Sequence, residues 1–204
     1  MKLNALDRIE FDAASMKRMD DARRKIDAST TWGRRKLAEY GDVVKLDQAA
    51  RYRMKLADCQ LAAAPLHMMV AMNVPVPRTP NTDGELRTGE LAVLGIVYPE
   101  DVLRQPLPGS FFVEVLYPPD VFHPNCAPGP RQQLCLGAVM PRGIPVREIL
   151  LLSYAALCGQ SVTIDFTDPV GVLNLEACRF FEAHPAALPL TTEPFLRREE
   201  NADA

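Results

Sequence analysis

The chain has 204 residues, 48% of them hydrophobic and 24% charged, with a formal net charge of −3. That length carries one good core and is short for two, and the acidic balance gives no reason to expect a nucleic-acid partner. The longest apolar run, Ile149 to Cys158, holds a serine and is only ten residues long, about half of what a membrane-spanning helix needs. No secretory leader is expected at Met1-Lys2-Leu3-Asn4. Five cysteines without regular spacing argue against a disulfide framework and for a reducing compartment, so a cytoplasmic protein is expected.

The first predicted element is a basic helix. Between Lys17 and Lys36 eight basic residues stand against three aspartates, and Met16, Met19, Ala22 and Ile26 recur at near-helical spacing. Arg34, Arg35 and Lys36 fall at its end or just beyond it. Leu46 to Leu61 reads in two ways. Leu46, Ala49, Ala50, Met54, Ala57 and Leu61 share one side of a helix, whereas Tyr52, Met54 and Leu56 alternate with charged residues as in a strand. His67 to Val74, between Pro65 and Pro75, predicts a strand, and Pro75 to Glu90 a loop. Leu91 to Tyr98 and Phe111 to Tyr117 predict two further strands. Helices are expected over 147–158, ended by Gly159, and over 170–183. Thr167 or Asp168 is placed to cap the second, with Pro169 in its first turn and Val170, Leu173, Ala177 and Phe180 as its apolar stripe. The class is α+β, a short antiparallel meander packed against helices. Three segments are expected: a basic helical stretch over 1–42, a main domain over 43–184, and a flexible or partner-contacting tail over 185–204.

Chemistry concentrates at His123-Pro124-Asn125, followed ten residues after Asn125 by Cys135 within Leu134-Cys135-Leu136. With the strand to Tyr98, the following Pro99, Pro106 and Pro108, the strand to Tyr117, Pro145, the apolar helix after it and Asp168-Pro169, this stretch resembles the ubiquitin-conjugating enzymes. The resemblance covers roughly residues 88–184 and implies the UBC-like fold. It implies an acyltransferase that takes a ubiquitin-like modifier from an ATP-dependent activating enzyme as a thioester on Cys135. The modifier then passes to an amine, typically a substrate protein's lysine, with no cofactor on the carrier itself. A thioester suits a carrier because it exchanges between thiols and stays open to amines.

The other residues take roles from the same resemblance. Asn125 matches an active-site asparagine whose amide stabilises the oxyanion, an effect of about 2.7–4 kcal/mol where one such donor was removed in a hydrolase. Asparagine is also a turn residue that bonds nearby backbone, and the two roles are compatible. His123 and Pro124 order the turn, with His123 not acting as a base. Asp168 stands where the family places an acidic residue near the incoming lysine, and equally reads as a helix cap. Arg23, Arg24, Arg34 and Arg35 match the basic first helix that docks the activating enzyme, although a solvated surface helix explains them too. Cys126, directly after the turn, competes with Cys135 as the reactive thiol. Cys59, Cys158 and Cys178 read as inert apolar residues.

The chain departs from the family in the loop between Asn125 and Cys135, about two residues longer than usual, and in a longer segment between Cys158 and Asp168. Gly143 also stands where a tryptophan is usual. These departures suggest a divergent member, of the kind found in bacterial modifier-conjugation systems. All six lysines (Lys2, Lys17, Lys25, Lys36, Lys45 and Lys55) lie in the first 55 residues, and the remaining 149 hold nine arginines and no lysine. A protein that carries an amine-reactive thioester gains from having no amine near it, although an arginine-biased genome gives the same pattern. Two other readings stand beside the enzyme. One is a non-catalytic module of the same fold that presents a modifier or partner. The other is a zinc site on His123, Cys126 and Cys135, whose spacing matches no common pattern.

Overall fold

The computed structural model describes residues 6, 13–50, 52–161 and 172–196. Helix α1 (Ala13–Lys25) and helix α2 (Thr31–Ala49) come first. Five strands follow: β1 (Met54–Gln60), β2 (Leu66–Arg78), β3 (Arg87–Tyr98), β4 (Val113–Tyr117) and β5 (Gln132–Leu134). Helices α3 (Val146–Leu157) and α4 (Leu175–Ala183) complete the set. The strands form one antiparallel sheet in sequence order, so the class is α+β.

The basic stretch is two helices. Asp27 is the reason: its carboxylate accepts the Ser29 N–H and hydroxyl, and Thr30 then caps α2 by accepting the Gly33 N–H at 2.9 Å. Such side-chain bonds compete with a continuous helix and favour a restart. Gly33 is required there, because a Cβ would stand 1.9 Å from the Asp27 carbonyl oxygen. Helix α2 runs across the expected boundary at residues 42 and 43, with Tyr40 and Val43 in the same core as the sheet. Both readings of 46–61 hold in part: α2 extends to Ala49, and β1 begins at Met54.

The expected loop over 75–90 is smaller than predicted. Strand β2 continues to Arg78, and β3 begins at Arg87. Pro75 falls at the register shift between Asn73 and Val76, a place where a strand tolerates a residue without an N–H. One face of the sheet is closed by α2 and α3. Met54, Leu56, Met68, Val70, Met72, Leu94, Ile96, Tyr98, Val113 and Val115 alternate into that core. Helix α4 packs separately on Phe122, through Ala177, Phe180 and Phe181.

Helix α4 is shorter than expected. Asn174 caps it by accepting the Ala177 N–H at 3.0 Å, and Thr167, Asp168, Pro169 and Val170 lie outside the described residues. Gly159 does end α3, with φ +76°. The expected tail is corrected as far as residue 196. Leu190 N–H donates to the Cys158 carbonyl, Tyr154 Oη to the Glu193 carbonyl and Tyr52 Oη to the Phe195 carbonyl. Arg53 pairs with the Glu193 carboxylate, and Phe195 is buried edge-on to Tyr154 at 5.3 Å. This segment is strapped across the core by Phe195 and by side-chain donors that reach its carbonyls.

Candidate active site

The segment entering the site is fixed before it arrives. Phe122 N–H donates to the Pro77 carbonyl, and Asp120 bridges Arg78 and Arg87 at 2.7 and 2.9 Å. Phe122, on the other side, is the hub of the α4 cluster. His123 is therefore placed between two packed layers and is fully buried.

Both ring nitrogens of His123 are engaged. Nδ1 lies 3.1 Å from the Asn125 backbone nitrogen and accepts its N–H, which leaves the proton on Nε2 to donate to the Ala156 carbonyl at 2.8 Å. Burial pulls its pKa down to about 4, with the Ala156 carbonyl opposing. The ring is thus a neutral strut between the turn and the end of α3. No ring nitrogen is left for zinc, and among the described residues no group of three or more His, Cys, Asp or Glu side chains is placed to hold a metal. Pro124 is buried, and its carbonyl accepts the Leu173 and Asn174 N–H groups at 2.9 and 3.0 Å, tying the turn to the start of α4.

The longer loop between Asn125 and Cys135 does not separate them. Cys135 N–H donates to the Asn125 carbonyl at 2.8 Å, and Ala127 N–H to the Gln133 carbonyl at 2.9 Å, with Cys126 bridged to Leu134 between them. The loop is therefore a hairpin whose base holds Asn125 against Cys135. The extra residues sit at its tip, where Pro128, Gly129, Pro130 and Arg131 are exposed.

Asn125, Cys135, Leu136, Gly137, Leu152, Ala156 and Ser161 line one small cleft. The Cys135 thiol donates toward the Gly137 carbonyl at 3.4 Å. Behind it, Gly109 and Gly137 approach so closely that a Cβ on Gly109 would meet the Gly137 carbonyl oxygen at 2.2 Å. Cys126 faces the opposite way. It is fully buried, and burial pushes its thiol up to about 12. Cys59 is likewise pushed up to about 12 by burial, and burial also raises Cys158 and Cys178. A thiolate is the reactive form, so these four are poor nucleophiles; all five cysteines are buried, and Cys135, 5% exposed, is the one that lines the cleft. Asp168 lies outside the described residues, and the polar side chains of the cleft among the described residues are those of Asn125, Cys135 and Ser161.

The basic residues divide. Arg23 and Arg24 are exposed in the last turn of α1, where cations suit the helix dipole. Arg34 is exposed and folds back onto the Ser29 carbonyl at 2.7 Å. Arg35 is turned inward. Its Nη2 donates to Tyr98 Oη at 2.8 Å and to the Gly143 carbonyl at 2.7 Å, and its Nε forms an ion pair with Glu39 at 2.6 Å. Glu39 in turn accepts the Val146 N–H at 2.7 Å and so caps α3, whose own cap position is Pro145. Desolvation raises the Glu39 pKa, and the Val146 N–H and Arg35 oppose this. Arg35 thereby tethers the chain at Gly143, where the resemblance expects a tryptophan.

Residues that sequence reasoning passed over include Leu152 and Ala156 on α3, Ser161 beyond its end, and Gln132. The last is buried, and its amide is wholly spent on main-chain groups. A glutamine in a three-residue strand carries no periodic signal to find it by. No described helix is long and apolar enough to cross a membrane. No family model, no curated protein and no solved structure matches the chain.

Proposed function

We propose that the chain is a carrier of the ubiquitin-conjugating type with a UBC-like fold: Cys135 accepts a ubiquitin-like modifier from an activating enzyme as a thioester and passes it to a substrate lysine. The observation that carries the reading is the hairpin base, where the Asn125 carbonyl accepts the Cys135 N–H while both residues line the same cleft. Transfer needs a thiol that a large acyl group can reach and a fixed amide donor near its carbonyl, because attack by an amine puts negative charge on that oxygen; Cys135, 5% exposed, stands at the wall of that cleft. A neutral His123 strut supports Asn125 in that role and supplies no base. Arg23, Arg24 and Arg34 remain available to an acidic face of the activating enzyme; Arg35 serves the fold.

The distribution of lysines fits the same chemistry. The described ones lie on α1, α2 and the edge strand β1. Cys135 follows β5 at the other edge of the sheet from β1, about 19 Å from that strand over four strand spacings. Five free cysteines suit a reducing cytoplasm.

The test is a thiol-sensitive adduct on a non-reducing gel after mixing with activating enzyme, modifier and ATP. Cys126→Ser retains it and Cys135→Ala loses it. Cys135→Ser forms at most an oxyester that survives thiol and breaks in alkali. A thiol-sensitive adduct on Cys135→Ala moves the site, and no adduct on the wild type leaves only a binding module.

A further inference from the structure

Gln132 joins the two strands of chain that carry Asn125 and Cys135. Its Oε1 accepts the Val121 N–H at 2.8 Å, and its Nε2 donates to the Val115 and Pro118 carbonyls at 3.0 and 2.6 Å. With 3% of its surface exposed, it is one of few buried polar side chains among the described residues. One amide thus pins the end of β4, the Pro118 corner and the segment that enters the His-Pro-Asn turn. The outer side of that segment is held by β2, through the Arg78–Asp120 pair and the Arg78–Val121 bridge.

A closed frame results. One side runs from Val121 to Asn125, and the other from Gln132 to Cys135. The Gln132–Val121 bond closes one end and the Cys135–Asn125 bond the other. At the Asn125 end the turn is held by the Cys135 and His123 bonds, the Cys126–Leu134 bridge and the Pro124 carbonyl. At the other end Gln132 fixes Val121 and the Pro118 corner, so the path on which the segment enters the turn, and with it the placement of Asn125 against the thiol, depends on Gln132.

Resting on the proposed carrier function, we propose that Gln132 is a positioning residue that sets the aim of Asn125 at the thioester carbonyl on Cys135. It touches none of the reacting atoms. Exchange between thiols is intrinsically ready, whereas attack by an amine leans harder on the aligned donor, so removing Gln132 weighs more on discharge than on charging. A misplacement of about 1 Å is enough for roughly a 100-fold rate loss.

The probe is a peptide ending in Gly-Gly as its mercaptoethanesulfonate thioester. Cys135 Sγ attacks the carbonyl and expels mercaptoethanesulfonate. The amine of free lysine then attacks the new thioester, loses a proton to solvent, and releases the Cys135 thiolate. In Gln132→Met the charging rate stays within about twofold of wild type. Discharge at saturating lysine falls about 10- to 100-fold, with the half-saturating lysine concentration little changed. The backbone amide resonance of Asn125 shifts as well. Leu66→Ala, at the start of β2, serves as a control of comparable stability loss, and it leaves the ratio of discharge to charging unaltered. Should the methionine variant not fold, Gln132→Asn keeps the polar group but is one methylene too short to reach all three partners, and the same fall in ratio is expected. A ratio equal to that of wild type or of the control overturns the role of Gln132 alone. A wild-type protein that charges on no cysteine overturns the carrier reading and this inference with it.

Discussion

Lowering the pH tests the His123 strut directly. In the folded protein its pKa is about 4, against an ordinary 6.5. A base whose folded pKa is depressed contributes stability that is present above pH 6.5 and is lost as pH falls toward 4. Each unit is worth about 1.4 kcal/mol, and integrating between the two values gives a loss of about 3 kcal/mol by pH 4. His123→Gln isolates this loss from every other titration. Its side-chain N–H can replace the Nε2 donation to Ala156, but the Asn125 N–H loses its acceptor, at a cost of about 1–3 kcal/mol at neutral pH. Glu39, raised by burial, has the opposite sign and favours folding as pH falls, but it is present in both proteins and cancels. Urea unfolding of wild type and variant at half-unit steps from pH 7.5 to 4 measures the gap, provided the slopes match. The gap should shrink by about 3 kcal/mol and close or reverse near pH 4. A gap that stays constant with pH would show that the ring is not held neutral, and the strut argument would fail.

Three other outcomes follow from the same contacts. Under native conditions iodoacetamide should modify Cys135 first, with Cys126 and Cys59 reacting only on unfolding; peptide mass mapping against time reads the order. Phe195→Ala should lower stability by about 3–5 kcal/mol, measured by thermal or urea unfolding, whereas a free tail would give no change. Glu39→Ala removes the cap on Val146 and the partner of Arg35, and should lower stability by at least about 1–3 kcal/mol. Glu39→Gln keeps an acceptor for Val146, and the same unfolding measurement should find it closer to wild type.

Where hydrophobic periodicity was strong, the sequence alone located the elements: β3, α3 and the core of β2 stand where their patterns put them. Polar side chains decided the places where it failed. Asp27 and Thr30 cut a run of helix formers in two, and Asn174, not Thr167 or Asp168, caps the described α4. Pro75 looked like the end of a strand but sits in a bulge within it. The strap at Glu193 and Phe195 was hidden because its partners, Arg53, Tyr52 and Tyr154, are more than a hundred residues away except for Tyr154. At the site, the His-Pro-Asn turn and Cys135, in preference to Cys126, were legible from the local motif, and the hairpin base that puts Cys135 and not Cys126 on the cleft was not. That contrast depends on which side of a hairpin base faces the cleft, a fact of register that no single residue type announces.

The hairpin tip at Pro128–Arg131 offers a handle for experiment. Its ends are clamped by the Ala127–Gln133 bond, so lengthening the tip costs only loop-closure entropy, about 0.6 kcal/mol for each doubling. A short tag or a site for a fluorophore inserted between Gly129 and Pro130 would stand in solvent a few residues from the reactive thiol. Such a reporter would register arrival and departure of a large acyl group as a change in local mobility, without altering any residue that lines the cleft.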